Sequence, residues 1–414
     1  MVPQTTGSET NIKLPFSFII FSLFALVISQ FLVLVNGQML VNGSFRIPAI
    51  WSAAHMLVLG WALMAAMGAM YQLVPVAFLT KIWNEKFGFI QFFVTAIGIG
   101  SFSWLLYVSP QNALLPGILM LLGILMFLFQ MLMTLRTQAK PNILTAFVGS
   151  ALICLFLTIF LGITLIYSLQ TGFAAEYYQA IFKSHLLMGV TGWFTLLIFG
   201  FSYKMVPMFS LSHGFPMVHA RYVYGLYVSG LVITLLSFFN GSPFLLKAGF
   251  FLLLAGFSVF SWHISIIIKK RLKKKLDNSF TFALVAIGLG NIIHLAAFIS
   301  LWSKENSVLL GPFVYLYLLL WIVLSIMGYL YKIVPFLWWT YKYSKEIGKK
   351  SVPSLKDMMN EKIVVPLFST FVIAVIAVFL SIILETILLF NSGQFVLSIV
   401  FIAIAISILK VLKK

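Results

Sequence analysis

Acidic residues are scarce in this chain: nine Asp and Glu in 414 residues, against 27 Lys and Arg. Charged residues of both signs make up 9% of the sequence, whereas a soluble domain carries about 25%. A chain so poor in charge cannot cover a water-facing surface, which excludes an ordinary soluble globular domain. One cysteine, Cys154, stands inside an apolar run. A disulfide within the chain and a cysteine-based metal cluster are therefore excluded. No acid occupies the middle of an apolar run. Glu176, Glu305 and Glu385 stand at run ends, and Glu85, Asp277, Glu346, Asp357 and Glu361 stand in linkers. A proton pump or proton-coupled carrier usually places a carboxylate at mid-membrane, so this pattern speaks against that class. No run carries two histidines one helical turn apart, so a strong local metal signature is also missing.

What the chain has is apolar side chains: 62% of residues, with a mean hydropathy of +1.07. A span of the hydrocarbon core needs about 20 such residues in a helix. Twelve runs qualify, near 14–35, 48–78, 88–108, 112–135, 143–168, 179–209, 221–239, 244–268, 279–302, 309–339, 362–388 and 391–412. The expectation is an all-α polytopic membrane protein. It forms one transmembrane domain over 1–414, with pseudo-repeats at about 14–135, 143–268 and 279–412. The opening segment "MVPQTTGSETNIK" lacks a basic start and a small-residue cleavage site, so the first run reads as a retained helix.

The net charge of +18 would suit nucleic acid, but the basic residues lie between the apolar runs, where they set topology. The linkers after runs 2, 4, 6, 8 and 10 hold Lys81, Lys86, Arg136, Lys140, Arg221, the run Lys269–Lys275, and Lys342 to Lys362. The remaining linkers hold Arg46, Lys183, Lys247 and Lys304. The positive-inside rule then places both termini in the cytoplasm, in a cell membrane, with the lipid bilayer as partner and no nucleic acid.

An eight-residue phrase recurs. "GAMYQLVP" (Gly68 to Pro75), "GFSYKMVP" (Gly200 to Pro207) and "GYLYKIVP" (Gly328 to Pro335) end the second, sixth and tenth runs. Trp61, Trp193 and Trp321 each precede the phrase by seven residues, giving the frame W-x6-G-x2-Y-[QK]-x-V-P. At about 100° per residue these four positions share roughly a quarter of a helix circumference. Three units of four helices follow. Within the frame, glycine allows close helix approach. The tyrosine and the following Gln72, Lys204 or Lys332 suit an interface where side chains snorkel, and proline is expected to end the helix.

Ionisable residues inside the runs are functional candidates. His55 and His185 stand about 10 Å below the outer face and His294 roughly 12 Å below it, at 1.5 Å per residue. Three helices thus carry histidine in one layer of the outer leaflet. Imidazole there suits haem iron or copper, while each histidine alone can equally bond a neighbouring helix. His263, His213 and His219 read as packing or linker residues. The tenth run has no histidine and offers Tyr315 and Tyr317, which can ligate haem or sit in an aromatic belt. Met64, Met67 and Met70 form a stripe that reads as adaptable packing.

Twelve helices in three units, with the histidine-bearing segments "AAHMLVLGWALMAAMGAMYQLVPVAF" and "SHLLMGVTGWFTLLIFGFSYKMVPMF", resemble subunit I of the haem–copper oxidases. The likeness is nearest to short stand-alone relatives and to the haem- and copper-containing membrane proteins of nitric oxide response. The resemblance implies His55 as the helix-2 ligand of a low-spin haem and His185 as the helix-6 copper ligand. The family's helix-7 histidine pair is absent from "RYVYGLYVSGLVITLLSFF", its helix-10 His-x-His stands here as Tyr315-x-Tyr317, and "LLMG" follows His185. It therefore implies a divergent member without a complete oxygen-reducing centre. Such a protein would hold haem through His55 with His294 or a tyrosine, for electron transfer, sensing or haem handling, beside respiratory-chain or haem-handling proteins. The contrasting expectation is a cofactor-free transporter or an assembly partner of a respiratory complex.

Overall fold

A computed structural model describes residues 10–138, 140–303, 306–349 and 351–414. The opening residues 1–9, and Lys304 and Glu305 at the ninth linker, lie outside the described residues. Among the described residues, twelve helices are long and apolar enough to cross a membrane. They are α1 (Lys13–Asn36), α2 (Pro48–Phe78), α3 (Glu85–Val108), α4 (Leu114–Leu135), α5 (Ile143–Thr171), α6 (Ala175–Ser210), α7 (Val218–Asn240), α8 (Pro243–Lys269), α9 (Asn278–Ser300), α10 (Gly311–Glu346), α11 (Glu361–Ile383) and α12 (Ile387–Val411). The chain is an all-α polytopic membrane protein. Twelve crossings return the chain to its starting side, called here the terminal face; the other is the distal face.

Polar residues set several helix starts, where apolar run-finding is blind. The Asn84 side chain accepts from Phe87 N at 3.1 Å, so α3 begins at Glu85 rather than 88. Asn142 and Thr145 form a capping box at the start of α5. The break between the last two runs falls earlier than the apolar reading placed it: α11 stops at Ile383 and α12 starts at Ile387, with Glu385 left-handed at φ 51°.

The phrase prolines do not end their helices. Pro75 and Pro207 lie inside α2 and α6, which continue to Phe78 and Ser210, and Pro335 lies well inside α10. Helices α2 and α6 end instead on left-handed leucines, Leu79 (φ 52°) and Leu211 (φ 55°), each sending its backbone N–H to the carbonyl of the proline. That C-terminal turn satisfies a carbonyl that would otherwise be orphaned.

Helices α2, α6 and α10 share a second departure. Met56–Leu63, Leu187–Phe194 and Tyr317–Val323 are π-helical, and each stretch contains its frame tryptophan. Such wider turns are uncommon, and they rotate the residues before them relative to those after. The expected common face at 100° per residue therefore holds only beyond the tryptophan.

Packing repeats with the sequence. A Cβ on Gly68 would meet the Pro15 carbonyl at 2.8 Å, one on Gly200 would meet Phe147 at 3.0 Å, and one on Gly328 would meet the Ser279 carbonyl at 2.9 Å. Each frame glycine thus admits the helix preceding its own: α1, α5 or α9. A shift of 132 residues carries Trp61 to Trp193, and the same shift carries Gly98 to Gly230 and Thr95 to Tyr227. Gly98 seats Met120 as Gly230 seats Leu253, and Gly123 faces Thr95 as Gly256 faces Tyr227. The frame tyrosines Tyr71, Tyr203 and Tyr331 are buried rather than snorkelling. Tyr71 donates to Gln91 Oε1 at 3.0 Å, and Tyr203 bonds His263 Nδ1 at 3.2 Å. The three tryptophans are also buried and belong to the main apolar core.

Candidate functional site

Polar side chains collect at three seams between the four-helix groups, and the five residues singled out in the sequence are divided among them.

The first seam joins α2 and α3 to α5 and α6. His55 Nδ1 donates to the Trp51 carbonyl at 2.7 Å, and His185 Nδ1 donates to the Thr158 carbonyl at 2.9 Å. A carbonyl only accepts, so each Nδ1 carries the proton and each Nε2 keeps a lone pair in the neutral ring. The rings face each other with centroids 6.3 Å apart and planes 26° from parallel. Phe102 flanks His55 edge-on at 5.4 Å. Gly162 of α5 leaves the space that His185 fills: a Cβ there would stand 2.9 Å from Cε1 and 3.3 Å from Nδ1. Both rings are partly buried.

The second seam lies among α6 to α10, and it holds a cavity of ≈460 Å³. His294 of α9 and Tyr317 of α10 form part of its lining, with ring centroids 5.2 Å apart. His294 Nδ1 donates to the Gly290 carbonyl at 2.8 Å, which makes Nε2 the acceptor. Tyr227 stands 3.4 Å from that Nε2 and 3.1 Å from the Tyr317 hydroxyl. Tyr317 is 2.7 Å from Thr195 Oγ1, which accepts from Trp321 Nε1 at 3.1 Å. An indole N–H only donates. Trp321 therefore donates to Thr195, whose own hydroxyl also reaches the Val190 carbonyl at 3.4 Å, and at the far end Tyr227 donates to His294 Nε2. Position two after the frame tryptophan supplies Thr195 here but Leu63 and Val323 in the other copies. Trp61 Nε1 and Trp193 Nε1 are correspondingly buried without a partner.

The cavity walls are apolar, from Leu187, Val190, Phe250, Leu253 and Ile293, and its distal rim is cationic. Arg46, from the α1–α2 connection, donates to Gln179 Oε1 at 3.0 Å and lies 4.5 Å over the Phe182 ring. Lys183 stands 5.9 Å over Phe238.

The third seam joins α10, α11 and α12 to α1. Gln394 donates to Gln30 Oε1 at 3.0 Å. Tyr315 packs here against the cluster of Leu40, Val41, Val378, Ile382 and Phe390, its hydroxyl buried without a partner.

The structure thus brings His55 to His185, and His294 to Tyr317. It does not pair His55 with His294 or with a tyrosine, and it turns Tyr315 away from both regions. Depth along a helix placed these residues in one layer, but azimuth separates them. Tyr227, Thr195, Arg46 and Lys183 escaped the reading as site residues. The signal available for the first two was a hydroxyl within an apolar run, which is also what a packing residue looks like. His263 is a packing residue, held between Tyr203 and the Pro216 carbonyl at 2.9 Å.

At the terminal face, Asp277 accepts from Lys273 at 2.9 Å and from Lys332 at 2.5 Å. Burial alone would raise the Asp277 carboxyl, but the two ammonium groups outweigh it and hold the group below its ordinary range. Among the described residues, no group of three or more His, Cys, Asp or Glu side chains could hold a metal ion. No protein-family model matches the chain, and no curated protein matches it.

Proposed function

We propose that the protein is a divergent haem–copper oxidase subunit I-like membrane protein that holds haem in the cavity of the second seam, on the outer-leaflet side. The supporting observation is the donor set: one imidazole whose Nδ1 is tied to the Gly290 carbonyl, presenting Nε2 toward a cavity of ≈460 Å³. A carbonyl-anchored histidine is the usual form of an iron or zinc ligand, and cofactor cavities span about 300–1,000 Å³. Apolar walls suit a macrocycle, and Arg46 and Lys183 at the rim suit its carboxylates. When bound, haem supplies one-electron redox chemistry and a site for small gaseous ligands.

The chain's own residues do the rest. His294 offers Nε2, and its 3.4 Å hydrogen bond from Tyr227 would give way to the iron. The Gly290 carbonyl fixes the ring's orientation through Nδ1, and the walls exclude water. Position in the distal half, with the basic linkers on the terminal face, supports an outer-leaflet site and cytoplasmic termini. Electron transfer, sensing and haem handling all fit this arrangement. The chain has no second imidazole at the cavity to complete a haem–copper centre among the described lining residues.

The absorbance spectrum of protein purified after expression with ample haem tests the reading. A Soret band is expected, lost in His294→Ala and kept in His55→Ala. A colourless protein overturns it. The cationic rim over apolar walls would then favour the second reading, a cofactor-free transporter whose cargo is an anionic amphiphile, or an assembly partner of a respiratory complex.

A further inference from the structure

The basic run Lys269–Lys275 ends α8 and opens the connection to α9, and the three seams make no use of it. Helix α8 has 27 residues, about 40 Å at 1.5 Å per residue, against a hydrocarbon core of about 30 Å. Its terminal-face end therefore reaches the depth of the lipid headgroups. The segment that follows is fastened down. Leu272 N donates to the Leu211 carbonyl at 3.2 Å and Lys273 N to the Ser210 carbonyl at 3.3 Å, and Ser212 and Arg271 form an antiparallel bridge. The Lys270 ammonium donates to the Gly214 carbonyl. These bonds tie the run to the α6–α7 connection and fix where its backbone stands.

Most of the charge on this ledge is unanswered. Lys273 reaches Asp277, a carboxylate that Lys332 also holds. Among the described residues, Lys269, Lys270, Arg271, Lys274 and Lys275 make no ion pair, and all five are exposed. Leu272 stands among them, 71% exposed. Trp262, 50% exposed, lies two turns before Lys269 on the same side of α8. Its ring meets that of His219 at the start of α7, where Val218 and Tyr222 are exposed as well. Orienting the chain in a membrane requires the charge alone. It requires neither the fastened backbone nor an exposed leucine among the cations.

We propose that this ledge binds the headgroup of an anionic phospholipid in the terminal-face leaflet. The five unpaired cations attract the headgroup, and Leu272 and Trp262 lie against the acyl chains. Apolar and cationic groups side by side select a lipid over a soluble polyanion, which gains nothing from the leucine or the indole. Net charge selects the lipid class, because a zwitterionic headgroup brings a cation of its own. No residue of the haem reading takes part.

Native mass spectrometry of the full-length, detergent-purified protein with equimolar dioleoylphosphatidylglycerol and dioleoylphosphatidylcholine tests this. The two lipids share acyl chains, so a preference reports the headgroup. The parent is expected to retain the anionic lipid about tenfold or more over the zwitterionic one. The variant K269Q/K274Q/K275Q should lose that preference. The variant K81Q/K86Q/K140Q, which removes the same charge from other linkers of this face, should keep it. Leu272→Ser should weaken retention of the anionic lipid about fivefold. Equal retention of both lipids by the parent overturns the proposal without needing a variant. Equal loss in the two triple variants overturns the location. Displacement of the lipid by soluble glycerol phosphate would assign the cations to a free phosphate and overturn the lipid assignment. If the first triple variant fails to insert, the parent's preference and Leu272→Ser decide.

Discussion

The His55–His185 pair and the His294 cavity belong to the same scaffold, yet they differ in almost every respect. The pair has two imidazoles and tight packing. The cavity has one imidazole, a four-member hydroxyl and indole chain, and open volume. The difference comes from substitutions at corresponding frame positions. Thr195 is matched by Leu63 and Val323, and a hydroxyl there converts a buried orphan indole into the start of a polar chain. A threefold scaffold keeps its close-packing glycines in every unit while each seam varies its polar content independently.

That independence can be broken in graded ways. The largest effect is expected from Gly328→Leu, whose Cβ meets the Ser279 carbonyl and the Ala283 backbone nitrogen at 2.9 Å. Backbone cannot yield as a side chain does, so a loss of at least about 3 kcal/mol is expected, disabling both regions together. Thermal unfolding in detergent, with haem retention followed, checks this. Retention of haem at the parent's melting temperature would contradict it.

Gly162→Val should act on one region. Its side chain displaces the His185 ring from the Thr158 carbonyl. The melting temperature is expected to fall, by a stability loss of about 1–3 kcal/mol, with the haem spectrum unchanged. A spectral change in this variant would show that the two regions are coupled.

Thr195→Val should act on the other. It strands the Trp321 indole and removes the Tyr317 partner, at a cost of about 1–3 kcal/mol. The position of the haem absorbance band should shift. Equal stability of variant and parent in denaturant titration would refute the role of this chain.

The smallest effect is expected from Asp277→Asn, far from both regions at the terminal face. Its carboxyl is held below the ordinary range by Lys332 and Lys273. Its contribution is therefore complete above the unfolded carboxylate pKa and is lost as pH falls through the lower folded value. Partial exposure and screening limit it to at most about 1 kcal/mol. Parent and variant melting curves should differ at neutral pH and converge in acid; a gap that widens in acid would reverse the assignment.

The helix count and the repeat were legible because both rest on length, hydropathy and spacing. Helix ends were less so: Asn84 and Glu85 start a helix with polar residues, and Pro75 and Pro207 sit inside helices whose ends are set by Leu79 and Leu211. Partnership was the least legible. At 1.5 Å per residue, depth follows from counting, but facing does not, because the π-helical stretches at Met56–Leu63, Leu187–Phe194 and Tyr317–Val323 turn the ends that bear His55, His185 and Tyr315 by an amount no α-helical wheel includes. Tyr315 and Tyr317 show the outcome, two residues apart and committed to different seams.

The hydrogen bond between Gln30 and Gln394 joins the first crossing to the last. A chain made and inserted from its N-terminus cannot form it until the whole sequence has entered the bilayer. Until then the Gln30 Oε1 lacks this donor, although its Nε2 already reaches Ser29 Oγ at 3.3 Å on the same helix. The third seam therefore closes last, when the final helix meets the first.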